Sequence, residues 1–336
     1  MAALPLIAIV NSVKNAKVCF NDPQLKEGFV ETCSGRPVSF SGGYGTVFKF
    51  NCGSKVKAVR IWTKDLTLLP ELPARAKILS EKIHQLNNSC FINFEFQEKG
   101  LLVSGQWTPI VVMDWCQGHN LKDTIAKNIK SPDKLKTIAD NFLEIIRSLH
   151  KEGISHGDLQ HGNILVGDDL TIKLIDYDSL YIPCKEFENK IEEIKGLPDY
   201  QHPCRMQNKY ANSKVDYFSE LIIYLSLTAL VENPNLWNKY NIANKDYSLL
   251  FDQSDYSDLR SSAIYSDLNT LSEEVRSLLA VLEKYLSCND INKLNPFDEE
   301  AQIKSPLIES LFCINCGKEF VAKEDLYCIH CGTKRV

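Results

Sequence analysis

One polar loop, His156-Gly157-Asp158-Leu159-Gln160-His161-Gly162-Asn163, leads straight into two short apolar runs that share a turn. Ile164-Leu165-Val166 and Ile172 to Ile175 have the length and composition of buried strands, and Gly167-Asp168-Asp169 between them has turn chemistry. A hairpin of this kind brings Asn163 and Asp176 to the same end. One carboxylate, one amide and a second carboxylate then lie near a common point. Such a cluster suits a hard cation that carries phosphate oxygens. It leaves Asp158 free to accept a proton from a hydroxyl. Ahead of the loop, Leu135, Ile138, Ala139, Phe142, Ile146 and Leu149 form the buried stripe of the helix that delivers it. Ser131-Pro132-Asp133 reads as that helix's start, with a capping hydroxyl and a proline in the first turn.

The chain has 336 residues, enough for two lobes with their own cores and a small appendage. Its 44% hydrophobic and 24% charged content is ordinary for a soluble globular protein, and a net charge of −5 argues against nucleic acid as the main partner. Ala2 to Val10 is apolar but no Lys or Arg precedes it, so the expectation is a strand packed on the first lobe, not a secretory signal. Residues 1–35 otherwise form a preamble with weak strand signals. Leu221 to Val231 is too short to span a bilayer and reads as a buried helix, and no transmembrane segment is found. Gly42, Gly43 and Gly45 let a hairpin backbone approach phosphate oxygens, and Val47 opens the strand that follows. Lys55 to Trp62 is a second strand, carrying Ala58 and Arg60. Leu72, Ala76, Leu79, Ile83 and Leu86 set an amphipathic helix over 72–87. Phe91 to Phe96 and Pro109 to Met113 read as further strands, and 233–286 as mostly helical. Lys122, Lys127, Lys130, Lys134 and Lys136 against Asp123 and Asp133 leave a local charge of five minus two, or +3. That is read as a solvated face, with an anionic ligand or acidic lipid as the alternative.

The loop resembles the protein-kinase catalytic loop H-R-D-x-x-x-x-N, with Asp158 and Asn163 at the motif's spacing and Asp176 at the D-F-G aspartate. Gly157 replaces the arginine, and Tyr177-Asp178 replace Phe-Gly. Phe40 to Phe50 resembles the family's G-x-G-x-x-G-x-V loop through Gly42, Gly45 and Val47, with Phe40 at the first glycine. Lys55 to Trp62 resembles its V-A-I-K strand, with Arg60 at the lysine. The next helix corresponds to the one whose glutamate pairs with that lysine. Glu81 is the nearest acidic residue, and Arg75 fits the local pattern about as well. Asp114-Trp115-Cys116-Gln117-Gly118 resembles the hinge that bonds adenine through its backbone, with Met113 guarding the pocket behind. Gly196-Leu197-Pro198-Asp199-Tyr200-Gln201-His202-Pro203 resembles G-T-P-E-Y-x-A-P, with Cys204 in place of the ion-paired glutamate. Val215 to Ser219 resembles the start of the central helix, whose Asp216 holds the catalytic-loop backbone. The resemblance covers about residues 36–290.

Twelve cysteines are present, eight of them scattered, which fits free thiols in a reducing compartment. The other four, Cys313, Cys316, Cys328 and Cys331, form two C-x-x-C-G knuckles eleven residues apart. Four thiolates can surround one Zn2+ in a tetrahedron, so this tail looks like a zinc ribbon, with His330 a bystander. Its balanced charge suits a structural knuckle or a module that docks a protein partner.

The resemblance implies an α+β, two-lobed protein-kinase-like fold of the bacterial-type, eukaryotic-like branch. The division is 1–35 preamble, 36–114 N-lobe, 115–292 C-lobe, 293–308 linker and 309–336 zinc ribbon. It implies ATP- and Mg2+- (or Mn2+-) dependent phosphorylation of protein hydroxyls, Ser/Thr in the first instance. Asp158 would orient and deprotonate the acceptor, Asn163 and Asp176 would hold magnesium, and Gly42 to Gly45 with Arg60 would cradle the phosphates. Val47, Ala58, Met113, Asp114 and Cys116 would line the nucleotide site. Two alternatives stand beside it: a pseudokinase scaffold or sensor working through the ribbon, and a small-molecule kinase, which shares H-G-D-L-Q but does not need Gly196 to Pro203. The setting would be the cytoplasm, or a host cytosol for a delivered effector.

Overall fold

The computed structural model describes residues 3–86 and 88–303, with Tyr327, His330 and Cys331 beyond them. The knuckle cysteines Cys313, Cys316 and Cys328 lie outside the described residues.

The chain opens with three helices, α1 (Leu6–Lys14), α2 (Ala16–Cys19) and α3 (Pro23–Glu27). Within the span Ala2 to Val10, where a strand was expected, the chain is helical from Leu6 onward. The reason is spacing: Ile9, Val13, Ala16 and Phe20 recur at helical intervals and are buried together, a period longer than the nine-residue window shows. Strands β1 (Phe29–Val30), β2 (Thr32–Cys33), β3 (Arg36–Pro37), β4 (Ser39–Ser41), β5 (Gly45–Cys52) and β6 (Lys55–Trp62) follow. After helix α4 (Glu71–Lys82) come β7 (Phe94–Val103) and β8 (Gln106–Asp114), a hairpin longer than the two strands expected. The antiparallel sheet runs β1-β5-β6-β8-β7, with β4 added to β5.

Alternation along these strands gives the sheet two apolar faces. One face, with Phe48, Phe50, Val59, Ile61 and Leu101, forms a core with the three N-terminal helices. The other, with Trp62, Phe94 and Val111, joins α4 and the larger lobe in a second core. The site lies under this second face.

The larger lobe is built on α5 (Leu121–Asn128), α6 (Pro132–Glu152) and α7 (Tyr217–Glu232). Every residue of α7 from Tyr217 to Leu230 is buried, and of the run Leu221 to Val231 expected to form a buried helix only Val231 is half-exposed. No helix among the described residues is long and apolar enough to cross a membrane. Proline opens α6 as expected, but the Ser131 hydroxyl makes no capping bond. Gly153, in the left-handed region at φ 68°, ends it. The Ile154 N–H then returns to Leu149 O at 2.9 Å, which turns the chain into the loop. Three short strands, β9 (His119–Asn120), β10 (Ile164–Val166) and β11 (Ile172–Leu174), pair in the order β11-β10-β9. Residues 233–286 hold α8 (Leu236–Lys239), α9 (Ala263–Leu268), α10 (Glu273–Leu286) and several single turns.

Candidate active site

The loop is fixed from below by one carboxylate. Asp216, at the start of α7, is buried and accepts the backbone N–H groups of His156 and Gly157. His156 is fully buried, and its Nε2 bonds Ile175 O at 2.9 Å, which ties the loop to the segment beyond β11. Gln160 turns back so that its Oε1 accepts the Gly162 N–H at 2.6 Å. Pairing of Ile164 with Leu174 closes the hairpin, and the Ile175 N–H reaches Asn163 O at 3.0 Å. Asn163 and Asp176 are thereby brought to one end, as the apolar pattern predicts.

Asn163 Nδ2 donates to the Asp158 backbone carbonyl at 2.8 Å and to Asp158 Oδ2 at 3.2 Å. Asp158 Oδ1 is buried and has no hydrogen-bond partner among the described residues. Burial pushes the Asp158 carboxyl up to about 6; His156 opposes this and the Asp176 charge adds to it. Gly196, at φ 77°, passes over this carboxylate so closely that a Cβ there would lie 2.7 Å from Oδ1. Asp176 takes the left-handed region at φ 66° and ψ 81°. Its Oδ1 lies 3.3 Å from Arg60 Nη1 without hydrogen-bond alignment. Tyr177, in the place of the family's phenylalanine, is buried. Its hydroxyl donates to Leu174 O at 2.7 Å and accepts the Ile92 N–H at 2.9 Å.

Arg60 does not face solvent. It sits on β6 between Val47 and Val111, and its guanidinium donates to both oxygens of Asp178, Nη1 to Oδ1 at 2.6 Å. Burial works against the charge, but Asp176 and Asp178 outweigh it and hold the pKa above its ordinary value. On α4 the residue turned inward is Arg75, which is buried and donates to Leu180 O at 2.8 Å. Glu81 is exposed. The helix therefore supplies no glutamate to the strand cation, and the carboxylate comes from Asp178. The signal for this was an acid where the family has glycine.

Above the loop is a cavity of about 520 Å³. Gly42, Val47, Ala58, Met113, Asp114 and Cys116 line it, as do Arg60, Asn163 and Asp176. The Asp114 carboxylate bonds Lys57 at 2.7 Å. Gly43 and Gly45 are not in the lining. Gly45 is needed for a different reason: a Cβ would meet Ile61 O at 2.7 Å across the β5–β6 pair. Phe40 is exposed, and its ring stands 5.8 Å from Trp115, joining the glycine hairpin to the hinge.

The segment after Asp176 is packed. Gly157, at φ 78°, leaves room for Ser179, whose backbone oxygen would lie 2.5 Å from any Cβ at 157. An arginine there has no space, which accounts for the departure from H-R-D. Cys204 makes no ion pair, but its neighbour Arg205 pairs with Glu192, both buried, with Nη2 to Oε1 at 2.5 Å. Three of the five lysines from Lys122 to Lys136 have protein partners. Lys122 donates to the Lys245 carbonyl, Lys127 bonds His119 Nε2 at 2.7 Å, and Lys136 pairs with Asp140 at 3.2 Å. Among the described residues, no group of three or more His, Cys, Asp or Glu side chains is arranged to hold a metal ion.

Comparison with known proteins agrees with this geometry. Residues 41–290 match the protein kinase domain family. The chain is 26% identical over 271 residues to the serine/threonine-protein kinase pakA of Talaromyces marneffei, covering 78% of this chain and 40% of that one. It is 26% identical over 200 residues to the serine/threonine-protein kinase ste20 of Emericella nidulans, covering 57% and 23%. It is 26% identical over 192 residues to the serine/threonine-protein kinase max-2 of Caenorhabditis elegans, covering 55% and 28%. The chain thus spans well under half of each relative's length, and these relatives are fungal and nematode; the bacterial-type branch expected from the sequence is not shown by them. With its sheet lobe, its helical lobe and the loop between them matched in order, the chain belongs to the protein kinase family.

Proposed function

We propose that the chain is an ATP- and magnesium-dependent kinase that transfers the γ-phosphate to protein hydroxyls, serine or threonine in the first instance. One observation carries this reading. Asn163 and Asp176 line the nucleotide-sized cavity, and two buried carboxylate oxygens, Asp176 Oδ1 and, behind the Asn163 amide, Asp158 Oδ1, lie without hydrogen-bond partners among the described residues. Buried oxygens left without hydrogen bonds call for an added group, and the Arg60 charge 3.3 Å from Asp176 Oδ1 meets that need only in part. Asn163 and Asp176 fit magnesium or manganese, which need few protein ligands when phosphates supply the rest. When bound, such an ion neutralises the charge of the phosphates. Asp158 receives the acceptor's proton, and the loop's backbone bonds to Asp216 keep it in place. Arg60 holds phosphate oxygens from above, and the Asp114 to Cys116 backbone takes the base. The serine/threonine assignment draws on the relatives' names. The packed segment Gly196 to Pro203 favours a protein over a small-molecule acceptor.

The pseudokinase reading has one observation in its favour: Arg60 is already gripped by Asp178. Labelled ATP and magnesium with generic protein substrates separate the two. Transfer by the parent, lost in Asp158→Asn and in Asp176→Ala, is the expected result. Nucleotide binding without transfer in the parent supports the scaffold.

For the tail, the twin C-x-x-C-G spacing supports one structural zinc on Cys313, Cys316, Cys328 and Cys331, in a ribbon over 309–336 that docks a protein partner. Elemental analysis should find about one zinc per chain. Cys19, Cys52, Cys90, Cys116 and Cys184 are free thiols, which supports a cytosolic setting.

A further inference from the structure

Arg60 and Arg75 raise a question of charge. The family's arrangement places the cation on the strand and its carboxylate on the helix. Here both the strand and the helix present a guanidinium to the same region, and neither is met by an acid from α4. Asp178 meets the first with both carboxylate oxygens. Arg75 instead holds the segment's backbone at Leu180 O, with the Phe187 ring 4.8 Å from its guanidinium. The turn that carries Asp178 is itself fixed on three sides. Tyr177 is bonded through its hydroxyl to Leu174 and Ile92, the Ser179 backbone is seated against Gly157, and Tyr181 pairs with Ser155. Helix α4 is tied to the same segment by Glu71 with Lys190 at 2.7 Å and Lys82 with Glu186 at 3.2 Å.

From this we infer that Asp178 is a positioning residue for phosphoryl transfer: it orients the Arg60 guanidinium toward the phosphates, so the strand cation is aligned by the segment and not by helix α4. The inference rests on the kinase reading above. A bidentate carboxylate fixes the plane of a guanidinium as well as its place, which a lone contact does not. Misplacement of a phosphate-holding group by about 1 Å is enough to cost about 100-fold in rate. The bonds that grip the Arg60 guanidinium come from Asp178, and helix α4 acts on it only through the segment, which it holds at Leu180, Glu186 and Lys190.

The test compares full-length parent, Asp178→Asn, Asp178→Glu and Asp158→Asn for transfer rate from magnesium-ATP, affinity for a fluorescent ATP analogue, and thermal melting. Asp178→Asn should lower kcat by roughly 10- to 100-fold, with affinity changed no more than about threefold. Asp178→Glu, which restores the charge, should regain at least about tenfold of that loss. A role in folding alone would lower the melting point and affect binding and rate together. Parent-like kcat in Asp178→Asn, with Asp158→Asn inactive, overturns the inference and leaves the kinase reading standing. Parent-like transfer in Asp158→Asn overturns both. If Asp178→Asn does not fold, Asp178→Glu decides: kcat within about tenfold of the parent supports the inference, and loss as deep as Asp158→Asn overturns it.

Discussion

The two walls of the cleft are held by different forces. The lower wall, from Ile154 to Asp176, is set by backbone hydrogen bonds and an apolar hairpin. One buried carboxylate on α7 takes two loop N–H groups, and strand pairing does the rest. The segment that follows Asp176, and its tie to the strands of the upper wall, are set by side-chain charges that meet across the fold. Arg60 with Asp178 and Glu192 with Arg205 are buried pairs. The first joins residues 118 positions apart. Backbone-set structure leaves a local pattern in the sequence. Charge pairs between distant segments do not, and they are where this chain departs from its family.

The contrast predicts unequal costs of substitution. The largest should come from Glu192→Gln, which leaves Arg205 charged, buried and without its bidentate partner. Removing one member of a buried pair costs about 3–5 kcal/mol, read as a lower denaturation midpoint in urea. A loss under about 1 kcal/mol would mean the pair is no stronger than a surface contact.

Gly157→Ala probes the joint between the two walls. It strains a φ of 78° and drives a Cβ against the Ser179 backbone. We expect a loss of about 2 kcal/mol or more in stability, with Gly157→Arg worse. Normal stability of the arginine variant would show that the segment moves aside freely.

The lower wall should respond to acid. His161 is buried with its Nδ1 2.6 Å from the Tyr200 hydroxyl, and burial lowers its pKa to about 4. The unfolded chain, with an ordinary histidine pKa near 6.5, binds the proton first. Stability from this group is therefore complete above about pH 6.5 and falls as the pH drops toward 4. By pH 5 the loss should be about 1–2 kcal/mol, and His161→Gln should remove that part of the decline. An identical decline in the variant would assign it to other groups.

The smallest effect expected is none. Ser179 is 3% exposed, and its hydroxyl bonds Ile194 O at 3.3 Å. Gly157 leaves no arginine to grip a phosphate on the segment. Phosphatase treatment, Ser179→Ala and Tyr181→Phe should each leave transfer unchanged. Loss in any of them, restored by rephosphorylation of the parent, would show a switch that the packing does not contain.

The sequence was legible where the chain is locally determined. Ile164–Val166 and the strand from Ile172 are where their apolar composition and the Gly-Asp-Asp turn put them, and α7 lies where the mainly apolar run from Leu221 requires a buried helix. Asp216 holds the loop as the resemblance implies. Helix α1 was missed because its period extends to Phe20, past the apolar run that drew attention. Ser131 has the right type for a cap but not the bond. Gly45 is a glycine for strand packing, a constraint no motif states. Asp178 stood out as an acid in the glycine's place and Arg75 as a fit to the helix pattern, but their partners were unreadable: nothing in a linear pattern says which acid meets which base across the fold.

The central claim is that this cleft transfers phosphate with Asp158 as the proton acceptor. The most direct measurement is the initial rate of labelled phosphate transfer from magnesium-ATP to protein, parent against Asp158→Asn, with nucleotide affinity measured on the same samples. The account predicts equal affinity and a rate lowered about 100- to 10,000-fold. Equal rates in the two proteins would contradict it.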